Sequence, residues 1–250
     1  MKIDLITRPQ LEVLNKKGLK YPLAEAETDY FLAVILKIIY GSDLSEILVF
    51  KGGTAIHHCY LDQLRFSKDL DFTSLRSISL SGLENVFREH DFIGIKNFNE
   101  KKYSVDFYLQ YQGILQQPSS INVNINTNQK VLLNTKKCMF QNNYGVEVEV
   151  NLMNIKEIAA EKIRTLNERV RARDLYDLYL VIKNFDLDLK EIINILSKKE
   201  LFRPISKGNI VGNIKTILES YNTEMERLYY REHVKVDDLK GLMENIVAVI

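Results

Sequence analysis

From Ala24 to Tyr40 apolar residues recur at spacings of three and four, with Tyr30, Phe31, Val34, Ile35 and Ile38 on one face, and this period predicts an amphipathic helix. Glu25, Glu27 and Asp29 stand near its start, where the positive end of the helix dipole favours anions. The segment before Leu23 mixes charges with Gly18 and Pro22 and predicts a loose lead-in with one short helix. Gly41-Ser42-Asp43 ends the long helix, and Ile47 to Phe50 leads into a Gly52-Gly53-Thr54 turn. A helix-length stretch later the period changes. Asp69 and Asp71 alternate with Leu70 and Phe72, as in a strand with both carboxylates on one face and both apolar side chains on the other. Leu80 to His90 reads as a helix. Tyr103 to Tyr111 and Ile121 to Asn126 alternate with period two and predict sheet neighbours of the Asp-x-Asp strand, with Pro118-Ser119-Ser120 as the loop between them. Val146 to Val150 predicts the last strand.

Beyond it the helical period returns. Met153 or Asn154 opens a helix carrying Ile155, Ile158, Ala159, Ile163 and Leu166, and Arg169 to Lys183 forms a second. Three more segments follow: Leu189 to Lys199, Ile210 to Tyr221 and Val236 to Ile250. The fold class these predict is α+β, a mixed-sheet lobe flanked by helices over residues 1–152 and a helical lobe over residues 153–250. A chain of 250 residues can build real cores in both parts. Its 46% hydrophobic and 27% charged residues are ordinary for a globular protein, and the net charge of +1 confines any nucleic-acid contact to local patches. Cys59 and Cys138 have neither metal spacing nor a disulfide framework, which suits a reducing cytoplasm. The N-terminus lacks a signal-peptide pattern, and the apolar run Phe31 to Tyr40 is too short for a bilayer and is broken by Lys37, so the expectation is a cytoplasmic protein without a membrane partner.

The stretch from Leu48 to Phe72 carries the chemistry. Carboxylates two residues apart on a strand have Cα atoms about 7 Å apart and can converge on one divalent ion. Mg²⁺ takes carboxylate, water and phosphate oxygens, so Asp69 and Asp71 with a nucleoside triphosphate would complete its octahedron. Without a Cβ, Gly52 and Gly53 let backbone N–H groups approach phosphate oxygens, and the Thr54 hydroxyl can cap the following helix while donating to the same oxygens. A Gly-Gly pair alone is an ordinary turn, and a lone Asp-x-Asp is a solvated strand face; their succession is what points to a nucleotide site. His57 and His58 make no metal pair, because adjacent helix positions point about 100° apart, and they are expected to pack or lie on the surface.

The succession Gly-Gly-Thr, helix, Asp-x-Asp resembles the signature of the nucleotidyltransferase fold. More narrowly, Phe50 to Ala55 (FKGGTA) with Arg65 to Phe72 (RFSKDLDF) resembles the AbiEii/AbiGii toxin family of bacterial and archaeal nucleotidyltransferases. Lys162 in one helix and Arg173-Asp174-x-x-Asp177 opening the next match the C-terminal signature of that family. The resemblance implies a toxin that transfers a nucleotide from an NTP to host RNA such as tRNA, with Mg²⁺ or Mn²⁺ as cofactor and a cognate antitoxin as partner. It assigns catalysis to Asp69, Asp71, Lys162 and Asp174. Nucleotide binding falls to Lys51, Gly52, Gly53, Thr54, Ser67, Lys162, Arg173 and Asp177, and metal binding to Asp69 and Asp71. Where relatives carry a third acid, the matching position is Asn124, an uncharged ligand that cannot act as a base; Asp106 on the preceding strand is the other candidate. Arg173 and Asp177 at i and i+4 also describe a plain helix-surface ion pair, and Asp174 a dipole partner. Two other functions stay open: a degenerate module that binds a nucleotide or a partner, and transfer to a small-molecule or protein hydroxyl.

Overall fold

In the computed structural model, which describes residues 3–199 and 203–250, two helices open the chain. α1 (Arg8–Lys17) starts at Thr7, whose side chain and that of Gln10 close a capping box with Pro9 in the first turn. Twelve of the 18 residues of α2 (Leu23–Tyr40) are buried, far more than the single apolar face that its period predicts. The reason lies in its place at the centre of a core, where Phe31 stacks on Tyr111 at 3.9 Å and the Tyr40 hydroxyl donates to the carbonyls of Leu48 and Asn151. Glu27, expected to serve the helix dipole, is buried and accepts the Leu115 N–H at 2.7 Å, which anchors a hairpin turn.

Seven strands form one mixed sheet in the order β3-β4-β5-β2-β1-β7-β6. They are β1 (Leu48–Lys51), β2 (Leu70–Ser74), β3 (Ile93–Glu100), β4 (Ser104–Gln112), β5 (Pro118–Asn126), β6 (Lys136–Met139) and β7 (Glu149–Leu152). β2 is central, antiparallel to β1 and parallel to β5. Between β1 and β2 a short helix, α3 (Gly52–Ala55), runs on into a wider turn over Ile56–Tyr60, and α4 (Leu80–Phe87) follows β2. Two sequence expectations are corrected, and two strands are added. Pro118 to Ser120 is no loop: Ser119 and Ser120 pair with Tyr111 and Gln110, and Pro118 takes the first strand position, where its missing N–H does not interrupt the ladder. The last strand lies later, at Glu149–Leu152, where the chain pairs with Lys136–Met139 on one side and, at Leu152, with Phe50 on the other. β3 and β6, both at sheet edges, carry too little alternation to be read from sequence.

The chain divides into two compact units, Met1–Gln129 with Thr135–Leu152, and Lys130–Asn134 with Met153–Ile250. The sheet and α1 to α4 make the first. The second, among the described residues, consists of α5 (Ile155–Glu168), α6 (Ala172–Phe185), α7 (Leu189–Lys198), α8 (Lys207–Met225) and α9 (Val236–Val249). Asn154 caps α5 through the Lys156 N–H, and Ile158, Ile163, Leu175, Leu178, Ile210, Ile214 and Ile246 are buried. The buried Glu157 carboxylate accepts the N–H groups of Leu132 and Leu133 and pairs with Lys199 at 2.7 Å, which fixes the short segment 130–134 to this unit. No helix among the described residues is long and apolar enough to cross a membrane.

Candidate active site

Strand pairing lines up polar residues across the first unit. Lys51 on β1 faces Asp71 on β2, Asp71 faces Asn124 on β5, and Asn124 faces Asp106 on β4. With period two, these residues share one side of the sheet, while Phe50, Leu70, Phe72, Val123, Val105 and Phe107 fill the core on the other. Asp69 precedes β2 by one residue and is half-buried, as is Asp71, so the alternation expected around Leu70 and Phe72 holds. Asn124 and Asp106, alternatives in the sequence, are neighbours in the fold: the Asn124 amide donates to Asp106, and Lys101 pairs with Asp106 at 2.7 Å. The Asp106 charge is thereby matched, and the oxygen of Asn124 is the atom of that side chain with ligating capacity.

Gly52 turns the chain from β1 into α3 with φ at +79°, in the left-handed region. A Cβ there would overlap the Asp71 carboxylate and come within 2.7 Å of its Cβ. Gly52 therefore answers two demands, the turn and the seat of Asp71. Gly53 lies inside α3 and is buried. Thr54 is buried too, and it does not cap the helix: Lys51 holds the N-cap position without a side-chain cap bond. The Thr54 hydroxyl instead donates to the Asp69 carbonyl at 2.5 Å and lies 2.9 Å from the Ser67 hydroxyl. The threonine thus ties the glycine turn to the start of the aspartate strand. The Lys51 ammonium, also buried, donates to Gln129 at 3.1 Å.

Asp69, Asp71 and the Asn124 amide offer hard oxygen donors beside a glycine whose missing Cβ keeps space at Asp71. This donor set fits Mg²⁺ or Mn²⁺ and, with no sulfur or imidazole, does not suit a softer ion. Among the described residues no group of three or more His, Cys, Asp and Glu could hold a metal, in keeping with a site that has two acids and an amide.

The second unit holds the other signature. Lys162 on α5 donates to Asp174 at 2.9 Å and to Asp177 at 2.7 Å, and all three residues are buried. Asp177 is therefore no surface partner in an i,i+4 pair, and Asp174 is more than a dipole partner. Burial pushes the Asp174 carboxyl up, but the Lys162 ammonium and the Arg169 guanidinium beside it prevail and hold it down at about 2. Arg173, half-buried at the start of α6, lines an open cleft of about 590 Å³ with Arg171, Glu224 and Arg227.

Sequence reasoning missed a buried polar network behind the glycine turn. His58 stacks on Phe140 at 4.2 Å, donates from Nδ1 to the Gln141 carbonyl at 2.7 Å, and stands 3.4 Å from the buried Asp29. Gln63 donates to Asp29 at 3.1 Å. His57 is buried as well, so both histidines pack rather than lie on the surface. The signal available was Asp29 inside an apolar helix run, which reads equally as a charge near a helix start.

A model of the nucleotidyl transferase AbiEii toxin family, a type IV toxin–antitoxin system, matches residues 35–236. No curated protein matches the chain. Among solved structures the fold is similar to JHP933 from Helicobacter pylori, with TM-score 0.59 and 15% identity over 90% of this chain and 91% of that one. It is also similar to MenT4, a nucleotidyltransferase toxin from Mycobacterium tuberculosis, with TM-score 0.54 and 18% identity over 91% and 76% of the two chains.

Proposed function

The chain belongs to the AbiEii nucleotidyltransferase toxin family, and from that premise we propose that it transfers a nucleotide from an NTP to host RNA such as tRNA, with a divalent metal as cofactor. The observation that carries the reading is the seat of Asp71 against Gly52, with Asp69 fastened to the same turn through Thr54. That arrangement joins a phosphate-binding turn to a pair of carboxylates in one rigid element, as transfer by positioning requires. Asp69 and Asp71, with the Asn124 oxygen, would hold Mg²⁺ or Mn²⁺, which when bound neutralises triphosphate charge as it develops on the leaving group. Backbone N–H groups of Gly52 and Gly53 receive phosphate oxygens, and Lys51 adds positive charge at the edge of the turn. Thr54 and Ser67 act by holding the turn. An acceptor hydroxyl then attacks the α-phosphorus in line: the new O–P bond forms as the bond to the bridging oxygen breaks, the hydroxyl proton is released to solvent, and pyrophosphate leaves with the electron pair of the broken bond. For Lys162 and Arg173 the proposal is phosphate contact, and for Asp174 and Asp177 the holding of Lys162, which the two ion pairs support. A cognate antitoxin is the proposed protein partner.

Asn124 favours a second reading, a module that binds a nucleotide without transferring it, since the site has one acid fewer than three. One experiment separates the two. The wild type is incubated with each α-labelled NTP, total RNA and Mg²⁺, beside Asp69→Asn and Asp71→Asn. Label passing to RNA in the wild type and falling by at least about 100-fold in both variants, which unfold as cooperatively as the wild type, is the expected result. Binding without transfer in the wild type supports the silent module, and full activity in both variants overturns the carboxylate assignment.

A further inference from the structure

The polar row does not end at Asp106. Along β4 the same side of the sheet continues through Tyr108 and Gln110, and these pair with Asn122 and Ser120 on β5 and with Lys96 and Gly94 on β3. The opposite side of β4 faces the core through Phe107, Leu109 and Tyr111. This side is open: Tyr108 is 43% exposed, and Lys96, Gln110 and Ser120 are exposed beside it. Tyr108 therefore stands with its ring on a polar surface, on the strand next to the edge of the sheet.

The shape around it is that of a shallow site. Lys96, Asn97, Tyr108, Gln110 and Ser120 line a cleft of about 360 Å³. Its rim is made by an irregularity in β3, where pairing with β4 slips between Lys96 and Asn99 and Asn97 adopts φ of +52°. A bulge of this kind bends an edge strand and re-aims the side chains next to it. The β3–β4 hairpin also carries Glu100, Lys101, which is paired with Asp106, and Lys102, so Lys96 and Lys102 are the cations that border a face that elsewhere holds Asp71 and Asp106. In a chain with a net charge of only +1, this is a local basic rim. By strand spacing, Tyr108 lies two strands and one residue pair from Asp71, about 12 Å at Cα.

We infer that this face is the platform for the acceptor strand: a base of single-stranded RNA stacks on Tyr108, its edge meets Gln110 and Ser120, and its phosphates meet Lys96 and Lys102. The inference rests on the reading of the enzyme as acting on RNA. A ring with polar side chains around it and cations at the rim is the combination that binds single strands, whereas a duplex presents no free base face to stack. An acidic protein segment would use the lysines but gain little from the flat polar floor.

The test is direct binding of a fluorescein-labelled single-stranded RNA of about ten nucleotides, read by anisotropy at fixed salt, with NTP affinity and transfer of α-label measured in parallel. Tyr108→Ala should weaken RNA binding about 5- to 150-fold, Tyr108→Phe should retain it, and both should bind NTP as the wild type does. Lys96→Gln should lower the salt dependence of log K by about one unit in slope. Unchanged RNA affinity in Tyr108→Ala overturns the platform, and so does a wild type that binds no RNA. If α-label still passes to RNA while Tyr108→Ala binds it unchanged, the platform alone has failed; if label passes instead to a protein or a small molecule, the RNA acceptor has failed with it and transfer stands. If RNA binds through Tyr108 and no label passes to any acceptor, the transfer reading has failed and the platform stands.

Discussion

Gly52→Ala is the perturbation that most directly tests how the turn and the aspartate strand depend on each other. An alanine at φ of +79° meets the left-handed penalty of about 1–2 kcal/mol. Its Cβ also overlaps the Asp71 carboxylate and would stand 2.8 Å from Asp71 Cγ, so the side chain must rotate off its seat at a further cost of about 0.5–1.5 kcal/mol, while the 2.7 Å approach to Asp71 Cβ is relieved by a small backbone shift. The sum, about 1.5–3.5 kcal/mol, lowers the melting temperature by roughly 3–14 °C for a unit of this size. Transfer should fall further than stability explains, by about 100-fold, because the displaced group is the proposed metal ligand. Thermal unfolding of Gly52→Ala, Asp71→Ala and the double variant separates the two contributions. In the Asp71→Ala background the carboxylate contacts are gone while the backbone penalty and the approach to the residue-71 Cβ stay, so the cost of Gly52→Ala should drop by about 1 kcal/mol, the carboxylate's share. An unchanged melting temperature refutes the conformational argument. The same cost in both backgrounds refutes the claim that Asp71 occupies the space.

Asn124→Asp removes the amide donated to Asp106 and sets a carboxylate in register between Asp71 and Asp106, so metal-free stability at neutral pH should fall by on the order of 1 kcal/mol while less divalent ion is needed for activity. Unfolding with and without Mg²⁺ checks this, and identical metal titrations of variant and wild type would place Asn124 outside the site. In the second unit, the folded Asp174 carboxyl titrates at about 2 against an ordinary 3.8, so its contribution of about 2 kcal/mol is present in full above pH 4 and disappears as pH falls through 2. The unfolding free energies of wild type and Asp174→Asn from urea titrations should therefore converge by that amount between pH 5 and 2, and a constant gap would contradict the ion-pair origin; Lys162→Met, which takes the shared ammonium from two buried carboxylates, should cost about 3–5 kcal/mol.

What the sequence determined by itself was everything that depends on period and on order along the chain. The alternation at Asp69 to Phe72 already separates carboxylates from core, because a strand has no other way to place four successive side chains. The Gly-Gly-Thr block and the paired aspartates were legible for the same local reason, and so was the resemblance that rests on them. The helical period after Met153 announced a separate helical part. Only the tertiary structure decided which residues from distant segments meet. Asn124 and Asp106 stood as rivals in the sequence, and β4–β5 pairing makes them hydrogen-bonded neighbours. Thr54 looked like a cap until the loop before β2 brought the Asp69 carbonyl to its hydroxyl. Gly52 and Gly53 are equivalent in the sequence, but only Gly52 takes a left-handed turn beneath a side chain 19 positions later. Tyr108 is one aromatic among several on an alternating strand, and its exposure follows from β3 and β5 leaving that side of the sheet open. Contacts of this kind depend on strand register and on burial, and those are properties of the whole packed sheet, for which no local pattern of residues codes.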